Sequence, residues 1–387
     1  MSTGRDKKAV MNKNDVVENK YQMDSLDGLR GVAALLVVFS HTSNSGMYFL
    51  PLLDLRGIGK TGVFLFFLLS SFLLTLPLLR KGKQIFTFGV MSYYWQRRFF
   101  RIYPLYTVYL LLALVSTIVI SAVLNRVGVG VPFGLDWAGF IEHLALQDGK
   151  GVTWSIAVEF KFYFVLPFFV VAISTVRLWG AWAVLALFLA LMVLSQIVSP
   201  QADSLTNDVR LLPYLPIFII GMFLAVVQDH VNTHGSNTFF ETLASFGGYV
   251  GVAGVSIMTP LVYSLIDGEV ANDIFHRQFI TYAVLWSLII FSAVNHRGWL
   301  QKILTWRTLR FYGAISFSLY LFHPILVGIF RPLGLHEILA AWGVLLGSTV
   351  VAFATYRTIE SRFSRYQISR NIIAPITELA RRIVRSG

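Results

Sequence analysis

The chain of 387 residues is 56% hydrophobic and only 13% charged, against roughly 25% charge in soluble domains, and its mean hydropathy is positive. Those figures exclude disordered, collagen-like, coiled-coil and disulfide-scaffold classes, and the absence of cysteine removes disulfides, thiolate catalysis and cysteine-bound metal. The net charge of +12, from 32 basic and 20 acidic residues, has to be read by position, in an integral membrane protein.

A helix needs ~20 mostly apolar residues to cross a hydrocarbon core of ~30 Å. Ten stretches meet that need: 26–43, 61–79, 102–124, 155–176, 179–199, 211–229, 243–265, 278–295, 312–331 and 338–357. The runs are long and do not alternate, unlike barrel strands. The expected fold is all-α, a polytopic membrane bundle of about ten transmembrane helices. Residues 1–22 are expected to form a flexible cytoplasmic tail, 23–365 the transmembrane domain and 366–387 a basic cytoplasmic tail. The first stretch follows a long polar leader and has no small-residue cleavage site behind it, so it reads as a span rather than a secretory signal. The longest polar interruption, 125–154, reads as an outward loop. No internal repeat stands out.

Lys and Arg decide orientation. With the amino terminus inside, the inner segments carry 23 of them and the outer loops seven, with Arg30 and Lys161 completing the 32. Both termini are therefore expected in the cytoplasm, in a multi-pass protein of the cell membrane. The lipid bilayer is the expected partner of the positive charge and nucleic acid is not.

Ionisable groups inside membrane helices are costly, and each is a functional hypothesis by default. In the first span, Arg30 and His41 are eleven residues apart, three turns plus about 20°, hence on one face ~16.5 Å apart. Asp27, three residues before Arg30, joins that stripe. The structural alternative makes Arg30 a positive-inside anchor and His41 an interfacial residue. Glu159 and Lys161 enter an otherwise apolar helix from the outside. A carboxylate at the depth of His41 would fix the imidazole tautomer and raise its basicity, which suits a general base. The alternative is a Glu159–Lys161 pair, although residues two apart do not face each other on a helix. Arg97, Arg98 and Arg101 form an inner-face cluster that suits phosphates, or lipid headgroups.

Other signals are weaker. Gly57-Ile-Gly-Lys-Thr61 looks like the end of a phosphate loop, but Asp54 stands where its first glycine belongs. His230 and His234 have helical metal-ligand spacing without a glutamate after the first, so no metal is expected. Gly247 and Gly251 suit close helix packing. His323, within the ninth stretch, is a packing residue or a pocket group.

The chain resembles the acyltransferase-3 family of membrane acyltransferases, which acylate hydroxyls of surface glycans and related molecules. Ser25-Leu-Asp-Gly-Leu-Arg30-Gly with His41 is similar to the family's arginine–histidine signature. Phe64-Leu-Phe-Phe-Leu-Leu-Ser70-Ser71-Phe, Arg97-Arg98-Phe-Phe-Arg101-Ile-Tyr-Pro, Trp154-Ser-Ile-Ala-Val-Glu159 and Gly313-Ala-Ile-Ser-Phe-Ser-Leu-Tyr320-Leu-Phe-His323-Pro are similar to four further motifs. Ser71 stands where the family usually has glycine, and Phe160 and Lys161 where it has an acidic residue and glutamine.

The resemblance implies O-acyl transfer, acetyl by default, from cytoplasmic acetyl-CoA or another acyl-CoA to a glycan or other hydroxylated acceptor. His41 would act as general base, supported by Glu159, Arg30 and Asp27. Arg97, Arg98 and Arg101 would hold the nucleotide phosphates, with Ser70, Trp154, Tyr320 and His323 lining the donor side. No hydrolase-like domain is expected, so transfer would be completed in the bundle. A proton-coupled secondary transporter is the alternative function, since buried Arg, His and Glu suit proton coupling.

Overall fold

The computed structural model describes residues 13–51, 53–259, 262 and 274–364, and all of the described regular structure is helical. Two compact units divide the chain: Met1–Leu76 with Leu215–Ser316, and Pro77–Tyr214 with Phe317–Gly387. The division falls at Pro77, a proline inside a helix, where a backbone donor is lost and the chain can kink.

The first unit contains α1 (Lys13–Asn44), most of α2 (Gly59–Leu79), α7 (Leu215–His234), α8 (Thr238–Ile257), α9 (Phe279–Asn295), α10 (Trp299–Leu304) and α11 (Arg307–Ala314). The second contains α3 (Phe88–Leu124), α4 (Trp137–Leu144), α5 (Thr153–Val176), α6 (Ala181–Val198), α12 (Ser316–Phe330) from Phe317 onward, and α13 (Glu337–Thr355). A π-helical turn, Tyr356–Glu360, follows α13. Each of the ten apolar stretches overlaps a helix, although 312–331 takes in the end of α11 and the whole of α12 with a break at Ile315, and 243–265 runs beyond the end of α8 at Ile257. Seven of the helices are long and apolar enough to cross a membrane: α2, α3, α5, α6, α7, α12 and α13, some extended by a short turn. The all-α polytopic bundle is the observed fold. Helix α1 starts at Lys13, inside the stretch expected as a tail; residues 1–12 and 365–387, where the rest of both expected tails falls, lie outside the described residues.

Helices α3 and α6 expose rows of Val, Leu and Ile, including Val115, Ile118, Val119, Leu189, Val193 and Ile197. An apolar face of that size on a helix suits lipid rather than water. In the first unit small residues bring helices together, as packing in lipid favours. A Cβ built at Gly251 would lie 2.6 Å from Ile289 Cγ1, and one at Gly254 2.6 Å from Leu285 Cδ2. Gly248 is as close to Ser292, whereas a Cβ at Gly247 would make only ordinary contact with Leu288. The small-residue face of α8 is therefore Gly248, Gly251 and Gly254, with Gly247 at its margin.

The segment read as an outward loop is not a simple excursion. Asn125 ends α3 in the left-handed conformation, and the chain then returns along α3. The Tyr103 hydroxyl donates to the Leu144 carbonyl at 3.1 Å and the Tyr106 hydroxyl to the His143 carbonyl at 3.0 Å. Tyr103 lies 21 residues before the end of α3, about 30 Å along its axis. Helix α4, begun by the Asp136 carboxylate accepting from the Gly139 N–H at 2.8 Å, is thus folded against the second unit and delivers the start of α5.

Candidate active site

In the first unit, Arg30 and His41 sit on α1, both half-buried, and Arg30 is 3.4 Å from Asp27. The glycines of the first motif have a packing reason. A Cβ at Gly28 would run into the Leu304 carbonyl of α10, and one at Gly31 into the Leu309 carbonyl of α11. Gly313 of α11 meets the Asp27 carbonyl in the same way. Backbone approaches backbone on both sides of Arg30, and Asp24 pairs with Arg310 at 2.6 Å beside them. The Arg30 end of α1 is consequently clamped by α10 and α11.

The His41 end is held by the link to α2. Ser43 Oγ accepts from the Leu55 N–H at 3.4 Å and Asn44 Oδ1 from the Gly57 N–H at 3.1 Å. Asp54 accepts from both the N–H and the Nε of Arg56, at 2.9 and 2.7 Å. That carboxylate holds the Arg56 guanidinium above its ordinary pKa by hydrogen bond and charge. The residue that spoils a phosphate loop is therefore half of an ion pair that shapes this turn. A Cβ at Gly59 would lie 2.9 Å from Ser40 Cβ, and one at Gly62 2.6 Å from the Ala33 carbonyl. This close approach brings Lys60 within electrostatic reach of His41, a neighbour that sequence spacing does not reveal.

Ser70 is half-buried on α2. Ser71, fully buried, donates to the Leu68 carbonyl at 2.9 Å. Its Oγ occupies the space where a side chain on Gly221 of α7 would stand. The glycine missing from the second motif thus has a counterpart on the facing helix.

In the second unit, α3 and α5 pack antiparallel. Trp95 lies against Phe164, ring centroids 4.4 Å apart, and Tyr103 against Phe160 at 4.8 Å. The Tyr94 hydroxyl donates to the Tyr163 carbonyl at 3.0 Å. This register brings together two motifs that are remote in sequence. The Tyr163 hydroxyl donates to Glu159 Oε1 at 2.6 Å, and the Arg98 guanidinium lies over the Tyr163 ring at 5.9 Å. Arg98 Nε is buried with no hydrogen-bond partner among the described residues, and Arg97 lies over Tyr93 at 5.7 Å. Lys161 does not pair with Glu159; its Nζ donates to the Val209 carbonyl at 2.8 Å.

The start of α5 is held by α12. The Tyr320 hydroxyl donates to the Val152 carbonyl at 2.9 Å and lies 2.6 Å from Ser155 Oγ. Trp154 is buried against Tyr214, centroids 5.1 Å apart. His323, fully buried, donates from Nδ1 to the Leu319 carbonyl at 3.1 Å one turn back. Tyr320 therefore holds the start of the helix that carries Trp154 and Glu159, and His323 lies one turn along α12 with its ring 6.1 Å from that of Tyr320.

One residue that sequence reasoning missed is His143. Fully buried, it donates from Nδ1 to the Gly139 carbonyl at 2.7 Å and accepts at Nε2 from the Lys150 N–H at 3.0 Å. Both ring nitrogens are used, so the imidazole is a staple across the returning loop. His230 and His234 stack at 4.4 Å, and no group of three His, Asp or Glu side chains suited to a metal occurs among the described residues.

A family described as an acyltransferase domain matches residues 23–357. A candidate O-acetyltransferase of Staphylococcus aureus (strain MSSA476) is 25% identical over 335 residues, covering 78% of this chain and 50% of the relative. The peptidoglycan O-acetyltransferase OatA of Listeria monocytogenes is 23% identical over 367 residues, covering 87% and 55%. The acyltransferase MdmB of Streptomyces mycarofaciens is 31% identical over 184 residues, covering 43% and 44%. The chain spans about half the length of the curated relatives it matches. No solved structure matches it. The family match runs from the start of the α1 motif to the π-helical turn after α13, and on that extent the chain belongs to the acyltransferase-3 family of membrane proteins.

Proposed function

We propose that this protein is a membrane O-acyltransferase that moves an acetyl group from acetyl-CoA to a hydroxyl of a glycan or another hydroxylated acceptor. The observation that carries the reading is the family match over residues 23–357, which takes in all five motifs. The names of the relatives, O-acetyltransferases among them, agree in kind.

His41 is proposed as the general base. It removes the proton of the acceptor hydroxyl, whose oxygen attacks the acyl carbonyl; the carbon–sulfur bond breaks and the proton ends on the CoA sulfur. A positioned base of this kind contributes ~10²–10⁴-fold, so holding donor and acceptor in register must supply much of the rest. Glu159 is proposed to serve the same proton transfer. Asp27 supports Arg30 on the catalytic side, and Arg97, Arg98 and Arg101 are proposed to meet the donor phosphates. The buried, unpartnered Arg98 Nε supports an anion at that cluster, since a guanidinium can grip phosphate through two N–H groups. Ser70, Trp154, Tyr320 and His323 are proposed to shape the donor side, Trp154, Tyr320 and His323 through the start of α5. Both termini are proposed to lie in the cytoplasm and the protein in the cell membrane.

Mass spectrometry of surface glycans tests the reading. Cells expressing the protein should carry O-acetyl groups that cells lacking the gene do not, and Arg97→Ala with Arg98→Ala should lower them by weakening donor affinity. Unchanged glycans together with proton-coupled solute uptake would favour the transporter instead.

A further inference from the structure

Tyr163 belongs to none of the residues to which the mechanism above gives a role, yet two of its charged groups meet on it. Its hydroxyl donates to Glu159 at 2.6 Å, and the face of its ring lies beneath Arg98. The side chain is 2% exposed, and the Tyr94 hydroxyl ties its carbonyl to α3 at 3.0 Å. A carboxylate in a low-dielectric bundle needs donors, and a guanidinium gains from an aromatic face. A tyrosine one turn along the helix meets both needs with one side chain. Phenylalanine would serve only the cation, and serine would reach neither.

We propose that Tyr163 is a positioning residue that couples Glu159 to Arg98, so that seating a donor phosphate on the arginine cluster also sets the Glu159 carboxylate. The proposal rests on the acyl-transfer reading. It makes the third and fourth motifs one working element joined at a tyrosine one helical turn past the fourth. Through the hydroxyl, Tyr163 acts on the proton-transfer step; through the ring, it acts on donor affinity.

Acetyl-CoA turnover is read as CoA release in membranes carrying their native acceptors, and CoA binding is titrated on purified protein. Tyr163→Phe should lower turnover by about tenfold to a hundredfold, as loss of a buried hydrogen bond to a charged group does, and shift CoA affinity far less, because the ring beneath Arg98 remains. Tyr163→Leu should show the same fall and also weaken CoA binding about fivefold. In Tyr163→Phe with Glu159→Gln, turnover should be no lower than in Glu159→Gln alone, because the hydroxyl acts through that carboxylate. A purely structural tyrosine would give losses that multiply. Wild-type turnover in Tyr163→Phe, or multiplying losses in the double variant, overturns the proposal while the acyl-transfer reading stands. Should Tyr163→Leu fail to fold, the isosteric phenylalanine variant and the double variant still decide it. Wild-type protein that neither binds CoA nor releases it overturns the reading and this proposal together.

Discussion

Substituting Gly221 by alanine tests whether Ser71 and Gly221 are a matched pair. The new Cβ would fall on Ser71 Oγ, 3.1 Å from Ser71 Cβ and 2.7 Å from the Leu68 carbonyl oxygen. Ser71 cannot swing away freely, because its hydroxyl is bonded to that same carbonyl at 2.9 Å and fully buried. Overpacking of this kind costs about 1–3 kcal/mol, while alanine returns about 1 kcal/mol of helix propensity over glycine. With both the Ser71 hydroxyl and the Leu68 carbonyl closer than 3 Å, the cost falls at the upper end, about 2–3 kcal/mol, so the net expectation for Gly221→Ala is about 1–2 kcal/mol of destabilisation. Ser71→Gly alone loses a buried hydrogen bond and some helix propensity, about 1–2 kcal/mol. Combined, the two should be less destabilised than their sum by about 1 kcal/mol, since only the Leu68 contact remains to be relieved. Denaturant unfolding of the four proteins in one detergent reads the coupling directly. Strict additivity, or a Gly221→Ala protein as stable as the wild type, would refute the reasoning.

Gly31→Ala should be far more severe, because its Cβ meets a backbone carbonyl of α11 that no side-chain rotation can move; folded protein recovered from membranes should fall sharply, while Gly46→Ala, with open space around it but a left-handed φ of +77°, should cost only about 1 kcal/mol. His143→Ala should destabilise by about 2–4 kcal/mol, as it orphans the Lys150 N–H and opens a cavity against Phe133; protease cleavage within 125–152 should rise in the variant, and equal resistance would contradict the staple. Gln228→Leu should cost about 1–3 kcal/mol, because Gln228 and Asn295 exchange hydrogen bonds at 3.0 and 2.7 Å between α7 and α9; thermal unfolding that matches the wild type would count against it.

Much of this was readable before any coordinates. Apolar length alone locates a helix in each of the ten stretches, seven of the helices being long and apolar enough to cross a membrane, and Arg30 and His41 share one helix as the first stretch implies. What the sequence could not show is what lies across from a residue. Gly28 and Gly31 stand out as a motif, but the carbonyls of Leu304 and Leu309 that require them are more than 270 residues away in the chain. Glu159 and Arg98 sit in separate motifs, and only the antiparallel register of α3 and α5 puts Tyr163 on both. The 125–154 segment is polar by composition and so reads as a loop in water, whereas Tyr103, Tyr106 and His143 satisfy its backbone inside the fold. Ser318 and Glu360 form a buried hydrogen bond at 2.8 Å at the π-helical turn, a pair that no periodicity announces.

The most direct test of the central claim is transfer of labelled acetyl from acetyl-CoA to membrane-bound or polymeric acceptor in vesicles bearing equal amounts of wild-type and His41→Ala protein. The account predicts labelled, alkali-releasable ester with the wild type and none above background with the variant. Labelling by His41→Ala at the wild-type rate would contradict it.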